Sequence, residues 1–382
     1  MFALAARFPK QVQVLRLGVS LIAIAAPARA EAGTLLYSFK GGSDGKNPDS
    51  RLINVGGTLY GTTRNGGSVN CSDGCGTVFS VTTAGAEVVV YPFEGGNDGA
   101  GPIGDLIELH NALYGTTRSG GVGGNGTVFT VTRAGTESVL YSFAGGSDGA
   151  GPYGGLINVD GTLYGVTSGG GASGYGAVYS VTRTGNEEVV YSFAGGSDGE
   201  TPTGDLINVG GVLYGCTFVG GTYGYGTVFK LTRAGAESVV YSFKGSSDGA
   251  FPSGGLTEMG GAFYGAVQEG ANGAGAVFKV TKAGVEAVVY PFTGYADGRL
   301  PNAGLIKLNG ALVGTTTYGG SYSSGTVFTV TKGGVEAVLY PLPGGNGPGL
   351  PTTGVTDIGG TLYSTTTGGG TADYGTVFAV TP

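Results

Sequence analysis

The sequence predicts an all-β fold: a seven-bladed β-propeller with four antiparallel strands per blade, its ring closed by the N-terminal strand completing the last blade. Three observations predict it. A segment of about fifty residues recurs seven times, its units starting near Tyr37, Tyr91, Tyr141, Tyr191, Tyr241, Tyr290 and Tyr340. Periods of this length mark one supersecondary unit stacked so that neighbours supply the core a single unit lacks. Each unit holds four short runs rich in Val, Leu, Thr, Tyr and Phe, bounded by Gly, Asn or Asp, the signature of strands. The last unit, finally, lacks its fourth run, and an unmatched copy of that run (residues 35–39) opens the array. Pairing the two would close the ring and remove exposed strand edges. An open solenoid of parallel coils has no need of such complementary halves.

In chain order, residues 1–30 stand outside the array. Arg7, Lys10 and Arg16 precede an apolar run over residues 17–26, and Pro27-Ala28-Arg29-Ala30 supplies an Ala-x-Ala signal before Glu31. This is the layout of a secretory signal peptide, with an apolar run too short to span a bilayer. The mature chain, residues 31–382, is expected to be exported, periplasmic or extracellular, with no transmembrane segment. Loss of four basic residues with the leader leaves 15 basic against 26 acidic side chains, a net charge of −11. An acidic surface without a basic block argues against nucleic acid as a partner, and a monomer is expected. The 83 glycines sit at fixed offsets between strand-like runs, and therefore read as turns.

The second full unit illustrates the blade. Residues 105–109 form a first strand, His110-Asn111 a tight turn and residues 112–117 a second strand. A glycine-rich loop over 119–126 leads to a third strand at 127–132, and Arg133-Ala134-Gly135 turns into a fourth at 137–143. In the last unit three strands are expected, over residues 354–358, 361–366 and 376–381. The pattern Pro-x-Gly-x-Leu-Ile-x-x-x-Gly-x-Leu-Tyr-Gly-Thr-Thr, followed by Gly-x-Gly-Thr-Val-Phe, resembles the Gloeo/Verruco repeat of exported bacterial tandem-repeat proteins, over residues 33–382. Its spacing is also similar to kelch blades, which implies a first strand lining the channel and a fourth on the outer rim. Thr62-Thr63 and Thr116-Thr117 stand in place of the kelch diglycine, so kelch partners do not carry over.

Strand order places the long loops, second to third strand and blade to blade, on one face, where function on rigid scaffolds concentrates. That face carries a Gly-Gly-Ser-Asp-Gly element with Asp44, Asp98, Asp148, Asp198, Asp248 and Asp297; the seventh unit has Asn346-Gly347 instead. Six carboxylates around a rim suit Ca²⁺ or a cationic ligand. They equally suit caps on their own turns, which the recurrence in nearly every blade favours. Tyr175, Tyr223, Tyr225, Tyr318, Tyr322 and Tyr374 lie in loops of the same face, as candidates to stack on sugars or to pack the loops. Arg51, Asp105, Tyr153 and Asp205 occupy or border first strands and face the channel, where Gly155, Gly255 and Gly304 stand at equivalent places. On the opposite face Arg133 and Glu137, Arg233 and Glu237, Lys282 and Glu286, and Lys332 and Glu336 flank turns and read as solvated ion pairs.

The residue inventory narrows the chemistry. His110, in a tight turn on the shorter-loop face, is the one histidine, which removes histidine metal clusters and argues against a Ser-His-Asp triad. Cys71 and Cys75, in an insertion of the first blade, are expected to form a local disulfide, and Cys216 a buried apolar filler. No catalytic residue stands out and no cofactor is expected, Ca²⁺ on the Asp ring apart. The preferred reading is a non-enzymatic scaffold binding a glycan or an envelope protein on the long-loop face. A secreted polysaccharide hydrolase or lyase, using acidic residues at the channel mouth, is the alternative; a structural role in a surface layer is a third. A carboxylate pair held well above its usual pKa at that mouth would favour the enzyme.

Overall fold

A computed structural model describes residues 33–382 except Ser246 and Ala271; the expected leader lies outside the described residues. Seven antiparallel sheets follow one another around a central axis. In the second blade the second strand is Ala112–Ser119, the third Thr127–Thr132 and the outer one Glu137–Ser142, within two residues of the limits read from the sequence. The seventh sheet runs Gly33–Ser38, Thr376–Val380, Thr361–Thr366, Thr356–Ile358, with Leu35 opposite Phe378. The N-terminal strand thus completes the last blade and closes the ring.

The first strand departs from expectation. It is split into Ala100–Pro102 and Ile107–Leu109, both pairing with the second strand, while residues 103–106 leave the ladder. Most blades repeat this split, and the fourth carries a register shift at the same place within Glu200–Val209. Proline lacks a ladder donor and the glycine at 104 favours a bulge, so the strand bends inward there. That bend carries the channel-facing residues.

The recurring motifs are packing devices. Phe93, after the first blade's outer strand, meets Phe129 of the second blade edge to face at 5.0 Å, and five further interfaces repeat the pair at 4.9–5.1 Å. Aromatic pairs at this geometry add about 0.5–1.5 kcal/mol to their area burial. The glycine of Leu-Tyr-Gly makes room for that ring: a Cβ on Gly115 would lie 2.7 Å from Phe129. At the seventh interface Leu342 replaces the phenylalanine and Ser364 the glycine. The second threonine of Thr-Thr bonds across to the threonine of Gly-Thr-Val-Phe, Thr117 to Thr127 at 2.8 Å, with like pairs in four other blades. These hydroxyls are buried and satisfy each other. The first-to-second strand turns place consecutive residues at positive φ, as at His110 (53°) and Asn111 (66°), matching the right-handed strand twist.

Candidate ligand site in the axial channel

The inward bends from all seven blades enclose a cavity of about 230 Å³ on the axis. Seven equivalent positions at its depth carry Arg51, Asp105, Gly155, Asp205, Gly255, Gly304 and Gly354. Three blades supply charge and four supply none, so the sevenfold repeat is broken here. The Arg51 Nε lies 3.0 Å from Asp105 Oδ2, and its Nη2 3.6 Å from Asp205 Oδ2. The Arg51 amide donates to Asp105 Oδ1 at 2.7 Å, and the Gly155 amide to Asp205 Oδ1 at 2.6 Å. Gly155 is obligatory in that contact, since its Cβ would meet Asp105 and Asp205 at 2.9 Å. Burial, reinforced by the charge of Asp205, holds the Asp105 carboxyl well above the usual carboxylate range; Arg51 opposes the shift. One guanidinium therefore holds two carboxyls together.

One layer nearer the long-loop face are Asp49, Tyr153, Ser253, Asn302 and Thr352. Thr352 donates to Asp49 Oδ1 at 2.8 Å, and burial raises the Asp49 carboxyl. Asn302 donates to Thr317 at 2.9 Å, while its buried Oδ1 has no donor. The Arg118 guanidinium stands 5.8 Å from the Tyr153 ring centre. The sequence marked Arg51, Asp105, Tyr153 and Asp205 as channel-facing and gave them no role. It missed Asp49, Asn302, Arg64 and Arg118. The available signal was departure from the repeat at equivalent positions.

The Asp elements lie elsewhere, on the blade-to-blade turns beyond the outer strands. Tyr37 Oη donates to Asp44 at 2.6 Å and the Lys40 amide at 2.6 Å. Asp98 and Asp198 accept from Tyr91 and Tyr191 at 3.0 and 2.8 Å, and from the amides of Glu94 and Ala194. Asp148, Asp248 and Asp297 take the same two donors, Tyr141, Tyr241 and Tyr290 giving the hydroxyls. Each carboxylate thus ties its turn to the preceding strand. Among the described residues no three His, Cys, Asp or Glu side chains form a group able to hold a metal.

The expected ion pairs on the opposite face do not form among the described residues. Arg233 reaches Asp160 of the preceding blade at 2.8 Å, and Arg133 donates to Asn111 at 3.0 Å. Glu137 instead lies near Asp98 of the preceding blade, half-buried, its Oε1 buried without a donor. The reason is strand alternation: Glu137 opens an outer strand on its inward side, while Ser138 points outward. Glu187, Glu237, Glu286 and Glu336 repeat this beside Asp148, Asp198, Asp248 and Asp297, and Glu87 beside Asp44. Burial first, and the aspartate charge second, push the carboxyls of Glu137, Glu187, Glu237, Glu286 and Glu336 up to about 7. Near neutral pH each of these glutamates is therefore partly protonated.

Of the loop tyrosines, Tyr175, Tyr225 and Tyr374 cover the glycines Gly195, Gly245 and Gly41 of the Asp elements. The Cys71–Cys75 disulfide covers Gly95 in the same slot. Tyr318 lies under Arg299 at 5.1 Å, and Tyr223 and Tyr322 are the most open of the set, at 54% and 61%. Cys216 is buried in a blade core.

The Gloeobacter/Verrucomicrobia repeat model matches residues 25–217 and 196–378, and the chain belongs to that family. A comparison with curated proteins found no match. Among solved structures, it is similar to a puromycin-hydrolyzing peptidase of Mycobacterium tuberculosis at 12% identity and a TM-score of 0.51, over 86% of this chain and 51% of that one. A puromycin hydrolase is similar at 10% identity and 0.53, over 85% and 50%. A Trypanosoma rangeli sialidase matches at 11% and 0.44, over 92% and 59%. The chain spans about half the length of the first two, and the likeness is one of fold. No helix among the described residues is long and apolar enough to cross a membrane.

Proposed function

We propose that this chain is an exported, non-catalytic binding propeller that takes a carbohydrate end group into the axial channel from the long-loop face. The single observation behind this reading is the break in the repeat at the cavity, where Asp49, Tyr153 and Asn302 converge above the Arg51 cluster. A pocket with few converging polar groups is the usual form of a small-molecule site. This upper layer suits hydroxyl groups: Asp49 accepts, and the donorless Oδ1 of Asn302 accepts from a ligand hydroxyl. About 230 Å³ admits a sugar end group and excludes a folded domain. On this reading the outer aspartates serve turns and not Ca²⁺, and the leader directs export.

The hydrolase reading draws on one observation, the raised Asp105 carboxyl beside Asp205. Both carboxyls, however, are engaged by one guanidinium and by the amides of Arg51 and Gly155, whereas glycoside hydrolysis needs one carboxyl to give a proton to the bond and the other to act from the far side of the sugar. Binding is therefore the better fit. The test is calorimetric titration of the mature chain against a panel of neutral and acidic oligosaccharides, repeated with Tyr153→Ala and Asn302→Ala. Saturable heat lost in both variants supports the reading. Binding indifferent to both variants, or release of reducing ends during the titration, overturns it.

A further inference from the structure

The rim above the cavity has two unlike halves. Arg64 and Arg118 are next to last in the second strands of the first two blades, Thr58–Asn65 and Ala112–Ser119, at the same place in the repeat. Other blades carry Ser168, Phe218 and Gln268 there. Both arginines are exposed, and neither forms an ion pair among the described residues. Both are close enough to Asp49 and Tyr153 for their charge to act on those groups.

The backbone beside these two arginines is built differently from the rest of the ring. One position after the blade-to-blade turn has a left-handed φ throughout the repeat, yet it is glycine only beside the two arginines, Gly101 (64°) and Gly151 (61°). A Cβ on Gly101 would meet only the Arg64 carbonyl oxygen, at 3.9 Å, so packing does not demand the glycine. Elsewhere the same position accepts Asn47, Thr201, Phe251, Leu300 and Leu350 at φ of 54–62°. Non-glycine residues there carry strain of about 1–3 kcal/mol each, which clusters at ligand sites. Phe251 packs on Phe218 at 5.2 Å, giving an aromatic wall opposite the arginines.

Resting on the carbohydrate reading above, we propose that the ligand is a carboxylate-bearing sugar, a uronic acid unit. Arg64 and Arg118 hold its carboxylate, Asp49 and Asn302 take its hydroxyls, and the Phe218–Phe251 wall receives an apolar sugar face. Guanidinium groups suit this task because their planar donors match a carboxylate in charge and geometry. The orientation is fixed: the acidic group points towards the first two blades.

The experiment titrates trigalacturonate, the neutral galactose trisaccharide and citrate into the full mature chain at two salt concentrations. Trigalacturonate is expected to bind at least about 10-fold more tightly than the neutral trisaccharide, as charge-assisted bonds permit. Arg64→Gln and Arg118→Gln should each remove about 10-fold for the acidic sugar and leave the neutral one unchanged. Arg133→Gln, on the opposite face, should change neither. Equal binding of both sugars, unmoved by the rim variants, overturns the acidic assignment and leaves the carbohydrate reading standing. Citrate binding as tightly as trigalacturonate also overturns it, as an unspecific anion site. No binding by any sugar overturns both readings.

Discussion

The outer belt and the axial channel of this propeller are built from the same repeat and use acidic residues in opposite ways. In the belt, a tyrosine, an aspartate and a glutamate recur at six interfaces, each aspartate serving its own turn. In the channel, equivalent positions carry Arg51, Asp105 and Asp205 in three blades and glycine in the rest. A feature needed by every blade is needed for building the blade; one confined to a few blades is free to serve a ligand. The comparison teaches that, in a repeat protein, chemistry is best sought where the repeat fails.

The comparison can be broken most severely at the blade interfaces. Phe129→Ala is expected to cost about 3–5 kcal/mol, because it empties a fully buried site, and Phe328→Ala should match it; denaturant unfolding measures both. A blade-specific difference of several kcal/mol would show that the belt is less uniform than its sequence. Next is Arg51→Met, which leaves Asp105 and Asp205 facing each other. The expected cost is about 2–3 kcal/mol, below that of a fully buried pair because the channel admits water, with the loss shrinking as pH falls and the carboxyls take protons.

The belt also predicts a pH dependence with a definite sign. Its glutamates ionise near 7 in the fold, against 4.5 when free. The folded state therefore holds more protons between those values, and stability falls as pH rises through that window. The melting temperature should drop between pH 5 and pH 8 and level off above. Glu137→Gln keeps a donor towards Asp98 without the charge, so it should raise the melting temperature at pH 8 and not at pH 4.5. The smallest effect is expected at the rim: Arg64→Gln and Arg118→Gln, being exposed, should change stability by less than about 0.5 kcal/mol while weakening the response to the acidic sugar about 10-fold.

Much of the fold was legible because its signals are local and repeated. Strand runs, the positive-φ turn at His110-Asn111 and the missing fourth strand of the last unit located the blades and the closure. The split first strand was not legible, since Asp105 and Leu106 continue the strand-like run and only the three-dimensional bend takes them out of the ladder. Of the site, Arg51, Asp105, Tyr153 and Asp205 could be placed by equivalence within the repeat. Arg64 and Arg118 escaped notice because each is next to last in a strand whose register towards the axis depends on sheet twist. Glu137 and its counterparts were read as partners of nearby basic residues. Sequence proximity suggested Arg133, while the pleat directs the side chain to Asp98 of the preceding blade.

The most direct test of the central claim, that the channel and not the belt meets the ligand, is amide hydrogen exchange with and without trigalacturonate. Protection is expected in residues 49–51, 103–105 and 153–155, with exchange unchanged in the turns over 94–99 and 144–149. Protection of those outer turns with an unaltered channel would contradict the account.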